Sequence, residues 1–368
     1  MKKRIFKKLI IFAAAVITVV AGVGLFENYL DRRIDELYDV SAYTKAINTE
    51  YDNLTKDKGQ IILERSADNG NVMLLGSSEL GSWVQQNPVN MFPNKTLDSD
   101  ITIVGQAYVQ SLLHAMKVGT EAFSDNKRVA LVVSMQWFYG EDIDRDGFAA
   151  NFSEYQFFCF MNNERLSKES KLYICERTDE LLEEIQGYDD IKVYAWLYAQ
   201  DNVLGDVGLT LLKPYYSVRE KVLEIRDKWD TYQLLKQTRA EAEQPEVKDI
   251  DWQKALEDAE AEGAGYCTNN EFYVDDNYYS TYLESTIDSL EGVEAETVLT
   301  SKEMEDYEMF LQICRENGVE PYIIIMGTNG KYYDYVGIDS GRRNQLYDEV
   351  QKRAEDAGVE YLRLSDKE

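Results

Sequence analysis

The stretch Val72-Met73-Leu74-Leu75-Gly76-Ser77-Ser78-Glu79-Leu80 decides the fold. Its first four residues form an uninterrupted apolar run that stops at a glycine. Such a run suits a strand covered on both faces, as in a parallel sheet. Three more runs repeat the pattern. Ile101-Thr102-Ile103-Val104 ends in Gly105, Val129-Ala130-Leu131-Val132-Val133 ends in Ser134, and Tyr322-Ile323-Ile324-Ile325-Met326 ends in Gly327. Helical patterns lie between them. One helix is expected over Gln106–Val118. Another is expected to begin at Thr300, with Glu303 at capping-box spacing, and to end near Asn317-Gly318. Leu346, Val350 and Ala354 mark a later one. Strand and helix alternate, so the fold class is α/β with a mainly parallel sheet.

The flanks of these strands differ from them in character. From about 148 to 263 the pattern is polar and mostly helical, which we read as a helical insertion. A long helix is expected from Val218 to about Glu241, with Leu223, Trp229, Leu234 and Leu235 among its apolar positions. At the other end, Lys2, Lys3, Arg4, Lys7 and Lys8 precede an uncharged run, Leu9–Phe26. As a helix that run spans ~27 Å, close to the thickness of a hydrocarbon core. The basic residues before it favour a cytoplasmic N-terminus and an extracytoplasmic main domain. No clean A-x-A site closes the run, so an uncleaved transmembrane anchor is expected rather than a signal peptide. Leu30, Ile34 and Leu37 then recur at helical spacing, a juxtamembrane helix that packs on the domain, on a partner or on the bilayer. The expected division is 1–26 for the basic start and anchor, 27–70 for the juxtamembrane segment and 71–368 for the α/β domain with its insertion.

The chain has 368 residues, 67 acidic and 39 basic, for a formal net charge of −28. Five of the basic residues precede the anchor, so the outer portion is more acidic still. Such a surface argues against a nucleic-acid partner and against anionic lipid headgroups attracted by the overall field. The 26 tyrosines argue against disorder. Cys159, Cys175, Cys267 and Cys314 include no C-x-x-C pair, which argues against a zinc ribbon or a thioredoxin site. No metal or other cofactor is expected. Cys159 and Cys314 sit among apolar residues, so the cysteines are expected to be reduced and in the core.

Ser78 falls on the turn after the first strand, and ligands of parallel sheets bind beyond the carboxyl ends of the strands. A hydroxyl there can project into the crevice, with backbone N–H groups close by. The other reading is that the serines cap the next helix. Gly105 ends the second strand, where the lack of a side chain lets a backbone N–H approach an oxyanion. Gln136 follows the third strand, and its amide can donate to the same oxyanion. Serine after the first strand, glycine after the second and amide after the third resembles the layout of SGNH hydrolases.

A narrower resemblance follows. Gly76-Ser77-Ser78-Glu79-Leu80, Gly105-Gln106-Ala107-Tyr108-Val109-Gln110-Ser111, Ser134-Met135-Gln136-Trp137-Phe138, Asn151-Phe152-Ser153, Asn269–Asp276 and Thr328–Tyr335 resemble, in order, signatures of the DltD family over roughly residues 59–368. The resemblance implies a three-layer SGNH-hydrolase-like domain. It implies D-alanylation of teichoic acid on the outer face of the membrane, by serine-based acyl transfer or by esterase or thioesterase chemistry. It also implies Ser78 as nucleophile and Gly105 and Gln136 as oxyanion-hole residues. The implied partners are the teichoic acid polymer, a D-alanyl donor, a membrane O-acyltransferase and the D-alanyl carrier machinery. The alternative is a non-catalytic, membrane-anchored scaffold that recruits this machinery.

Two features fit the resemblance less directly. The family carries a D-x-x-H motif near its C-terminus as base and orienter. This sequence holds no D-x-x-H, and the motif is expected to follow Leu364-Ser365-Asp366-Lys367-Glu368. The single histidine, His114, lies on the helix after Gly105 and is read as structural. Teichoic acid is also a polyphosphate, whereas this chain is acidic. Salt limits their repulsion to ~8–10 Å. A local basic patch, an assembled partner or the D-alanyl ammonium must supply the attraction. Glu79 is a candidate contact for that ammonium, or else a charge at a helix N-terminus.

Overall fold

The computed structural model describes residues 2–38, 43–82, 84–97, 99–125, 127–238, 247–299 and 301–367. Five strands form one sheet: β1 (Val72–Leu75), β2 (Ile101–Val104), β3 (Val129–Val133), β4 (Pro321–Ile325) and β5 (Tyr361–Arg363). Their order is β2-β1-β3-β4-β5, and every pairing is parallel. The expected α/β class with a mainly parallel sheet is what the chain forms.

Burial explains why these runs are strands. β2 and β3 are buried at every residue, and β1 at all but its first. Burial fades toward one edge: β4 alternates, and no residue of β5 is fully buried. Pro321 stands first in β4, where a missing N–H is tolerated. β5 carries no continuous apolar run, and it escapes a reading based on such runs.

The two faces of the sheet are covered unequally. Met73, Leu75, Leu131, Val133, Ile323 and Ile325 point into a large core shared with the helices Ser111–Val118, Glu303–Asn317 and Ser340–Ala357. Leu74, Ile101, Ile103, Ala130 and Val132 form a smaller core on the opposite face. It is closed by Leu80, Tyr51, Val89 and Phe92 from short segments.

Between β3 and β4 the chain leaves the sheet for a series of helices, Arg145–Asn151 through Trp252–Tyr266. The Lys168–Leu182 helix is tied to the sheet-covering layer by Arg177. Its guanidinium bonds Asp306 at 2.9 Å and Asp142 at 2.6 Å. Removing one member of such a buried network costs about 3–5 kcal/mol, because it strands the partner charge.

Three helices differ from expectation. The one after Gly105 starts at Ser111, not Gln106. Gly105 and Tyr108 take positive φ and turn the chain first. The long helix spans Val203–Thr238 and so begins well before Val218. Pro214 lies inside this helix, where a proline removes one intrahelical hydrogen bond and crowds the carbonyl four residues before it. Residues 239–241, at the expected end of that helix, lie outside the described residues. Thr300, the expected cap of the Glu303–Asn317 helix, does too. The Glu303 side chain reaches across the fold and accepts the Ser111 N–H at 2.9 Å. It therefore caps a different helix from its own.

At the N-terminus a single helix runs Lys2–Leu37. Its apolar part is long enough to cross a membrane and, among the described residues, is not buried by the protein. Leu30, Ile34 and Leu37 are buried in the main core, so the juxtamembrane stretch packs on the domain. All four cysteines are free; Cys175 and Cys314 are buried, whereas Cys159 and Cys267 are half-buried.

Candidate active site

The strand order 2-1-3-4-5 places a topological switch point between β1 and β3, where the crossovers leave in opposite directions. Ligands of doubly wound sheets bind in the crevice outside the carboxyl ends at such a point. Ser78 opens a single 3-10 turn, Ser78–Gly81, directly after β1. It is exposed, and among the described residues no hydrogen bond engages its hydroxyl. Gly105 follows β2 and Gln136 follows β3, the two strands that flank β1. The sheet therefore brings the three expected residues to the same edge.

The turn is held from beneath. Gly105 adopts φ +148°, and a Cβ there would stand 1.9 Å from the Gly76 carbonyl oxygen. Only glycine permits the β1 and β2 ends to approach so closely. The Gly76 N–H donates to the Val104 carbonyl at 3.2 Å. Its carbonyl accepts from His114 Nε2 at 2.9 Å. Ser77 is buried, and its hydroxyl donates to the Gln106 carbonyl at 3.1 Å. The side chain of Ser77 is thus committed inward while that of Ser78 stays free. Glu79 closes the turn, with its carboxylate accepting the Ser77 N–H at 2.6 Å. Burial pushes the Glu79 carboxyl above the usual range, and the Ser77 N–H partly opposes the shift.

His114 lies in the first turn of its helix and is fully buried. Burial lowers its pKa to about 3, and the nearby Lys117 acts in the same direction. The ring is therefore neutral. Its Nε2–H supports the Gly76 carbonyl, and among the described residues its Nδ1 has no partner. It is a positioning residue behind the turn, and neither nitrogen is available to deprotonate Ser78.

Behind Gly105 lies a charged cluster that resembles solvated surface in the sequence. Lys56, Asp57 and Lys117 are all buried. Lys56 Nζ stands 3.5 Å from the Asp57 carboxylate. Burial raises Asp57 to about 6, while Lys56, Lys117 and the Gly105 N–H hold it down. Burial likewise lowers Lys117 to about 8.

On the β3 side, Gln136 sits in the 3-10 turn Met135–Phe138 and is exposed. Its Nε2 donates to Tyr333 Oη at 2.8 Å. Tyr333 belongs to the helix Gly330–Val336, which Asn329 caps by accepting the Tyr332 N–H at 3.0 Å. Asn329 also donates to the Phe272 carbonyl at 2.8 Å, so the segments 269–276 and 328–335 meet beside the crevice. Tyr333 was not among the expected site residues, although it lies in a segment that carries the family resemblance. No group of three or more histidine, cysteine or acidic side chains suited to a metal ion occurs among the described residues.

Fold and site together define a doubly wound parallel α/β protein with a free serine at its switch point and one helix long enough to span a membrane. A model of the DltD protein family matches residues 48–368. Protein DltD of Bacillus subtilis (strain 168) is 27% identical over 301 residues, covering 79% of this chain and 74% of that protein. Protein DltD of Staphylococcus aureus (strain NCTC 8325 / PS 47) is 24% identical over 317 residues, 84% of this chain and 77% of that protein. Protein DltD of Lacticaseibacillus rhamnosus is 23% identical over 292 residues. The chain belongs to the DltD family, whose proteins are involved in D-alanylation of teichoic acid.

Proposed function

We propose that this protein takes part in D-alanyl ester formation on teichoic acid, with Ser78 carrying the acyl group at the outer face of the membrane. The observation behind this reading is the free Ser78 hydroxyl at the switch point, with Gln136 following β3, the strand paired with β1. Ser78 Oγ attacks the carbonyl of the donor's D-alanyl group as its hydroxyl proton passes to a base; the bond to the donor's thiol or alcohol breaks, and that leaving group takes the proton back from the base. A polymer hydroxyl then takes the acyl group from Ser78, or water does so in an esterase step. The base would be the histidine of the D-x-x-H pair that the family resemblance implies, since His114 is fully buried and its Nε2–H is committed to the Gly76 carbonyl. Gln136 Nε2 keeps a second N–H for the oxyanion. Gly105 contributes through the close approach of the strand ends, and its backbone N–H is a second donor to the oxyanion. Glu79 holds the turn through Oε1, and its other carboxylate oxygen can meet the D-alanyl ammonium. The carrier and O-acyltransferase machinery would deliver the donor from the membrane side.

The test is complementation of a strain lacking this gene, with cell-wall D-alanyl ester as the readout. Ser78→Ala should reduce the ester to the level of the deletion while the protein remains folded and at normal abundance. Ester at the wild-type level in that strain removes Ser78 from the chemistry and leaves the scaffold reading. In that reading, deletion abolishes the ester but the point substitution does not.

A further inference from the structure

The Val203–Thr238 helix carries a stripe of uncovered apolar side chains. Leu204, Val207, Leu211, Tyr215, Val218 and Val222 are all exposed, with Leu204 at 80%, Leu211 at 75% and Val218 at 66%. Their spacing of three and four residues keeps them within roughly 80° of one another around the helix, along about 27 Å. Gly205, Tyr216, Asp227 and Tyr232 are buried, so this helix already has an inward side and the stripe is a second, outward one.

Its position relative to the anchor indicates what covers it. Trp229 continues the stripe and packs on Phe26, the last residue of the apolar anchor run, with ring centroids 6.1 Å apart. Lys228 bonds Glu27, the next residue, at 2.8 Å. Toward its N-terminus the anchor is not buried against the protein, so the long helix diverges from the membrane-spanning run instead of lining it. The stripe therefore starts at the level where the anchor leaves the membrane. At 100° per residue, Arg219 and Arg226 border it on one side and Lys221 on the other; each is paired with acidic neighbours, Arg219 with Glu154 and Asp190, Arg226 with Asp230, and Lys221 with Glu27 and Glu224. Basic side chains slightly outnumber acidic ones along this helix, in a chain of net charge −28. An apolar face that continues from the end of the anchor, with Tyr215 and Trp229 along it, is the composition of a helix lying in a membrane interface.

We infer that this stripe lies on the bilayer surface, embedded at the boundary of headgroups and acyl chains. The inference rests on the reading of Leu9–Phe26 as a membrane anchor. The protein is then held at two places, by a spanning helix and an interfacial one, and the second fixes how the Ser78 crevice faces the membrane. The spanning helix alone would leave rotation of the domain about its axis free.

The test places one nitroxide at a time on the full chain, with Cys159 and Cys267 replaced by serine, in nanodiscs of phosphatidylglycerol and phosphatidylcholine. Relaxation by oxygen reports lipid, and relaxation by a water-soluble nickel chelate reports solvent. Leu211→Cys and Val218→Cys should favour oxygen over nickel several-fold more than Leu256→Cys, an exposed position on the Trp252–Tyr266 helix. Nickel access at Leu211 and Val218 equal to that at Leu256 overturns the inference. Shielding from both reagents also overturns it, since a covering protein surface is then the occupant. Val16→Cys separates the two readings. Lipid access at Val16 without lipid access at Leu211 refutes the interfacial helix alone. Water access at both positions refutes the anchor and the inference with it.

Discussion

The two sides of the crevice are built by different means. On the β1–β2 side, backbone and buried groups fix the Ser78 turn: Gly105 against Gly76, His114 on the Gly76 carbonyl, and Ser77 on Gln106. On the β3–β4 side, the exposed Gln136 is held by a hydrogen bond to Tyr333 on a separate helix. The serine is thus placed by contacts that cannot slip without disturbing the core. The amide is placed by a contact that water can replace. A nucleophile needs one fixed position, whereas a donor to a developing oxyanion has to follow the substrate that arrives. The asymmetry suits those two tasks.

The strongest way to break this comparison is at Gly105. Gly105→Ala sets a methyl 1.9 Å from a backbone oxygen at a φ that other residues avoid. The strand ends would have to part. We expect a loss of more than about 4 kcal/mol, seen as absence of a cooperative thermal transition. A variant that melts within a few degrees of the wild type would show that the turn is far more pliable than the contacts imply.

The next largest effect is expected at His114. His114→Ala leaves the Gly76 carbonyl without its donor and opens a cavity, for about 2–4 kcal/mol. His114→Gln offers an N–H at similar reach and should recover part of that loss. The pH dependence has a definite sign. Folding lowers the pKa of this imidazole from 6.5 to about 3, so the unfolded chain binds the proton more readily. The stability linked to it is present above pH 6.5 and is lost as the pH falls toward 3. Asp57, raised to about 6 from 3.8, contributes the opposite trend, with stability lost as the pH rises through about 6. The difference between His114→Gln and the wild type isolates the imidazole. Denaturant midpoints measured between pH 7 and pH 4 should fall less steeply in the variant. An equal slope would mean that the ring is not held neutral.

Much of this was legible in the sequence, for identifiable reasons. β1, β2 and β3 are continuous apolar runs because both faces of the central sheet are covered. Ser78, Gly105 and Gln136 each follow one of them, so their shared edge follows from the parallel order. The parts that were not legible depend on contacts distant in sequence. Tyr361-Leu362-Arg363 is an edge strand whose Leu362 is 43% exposed, and it carries no apolar run to find. The helix start at Ser111 depends on Glu303, 192 positions away. Thr55-Lys56-Asp57-Lys58 is polar throughout, yet Lys56 and Asp57 are buried. Charge in a short polar segment gives no local sign of burial. The Gln136–Tyr333 bond spans 197 positions and was equally invisible.

That bond sharpens the comparison most finely. Tyr333→Phe keeps the ring, which packs edge-on against Tyr139 with centroids 5.8 Å apart, and removes only the hydroxyl. Gln136 is exposed, so water can take the place of Tyr333 Oη. The stability change should stay below about 1 kcal/mol, well under that of His114→Ala. Hydrogen exchange at Gly76 and Ser77 should be unchanged, since nothing beneath their turn has moved. A modest fall in cell-wall D-alanyl ester is expected, because the Gln136 amide then samples more rotamers before it meets the oxyanion. If Tyr333→Phe instead destabilised the protein as much as His114→Ala, the β3–β4 side would be as rigidly built as the other. The Gln136 amide would then be a fixed part of the crevice, set before substrate arrives, and the assignment of an adaptable donor would fail.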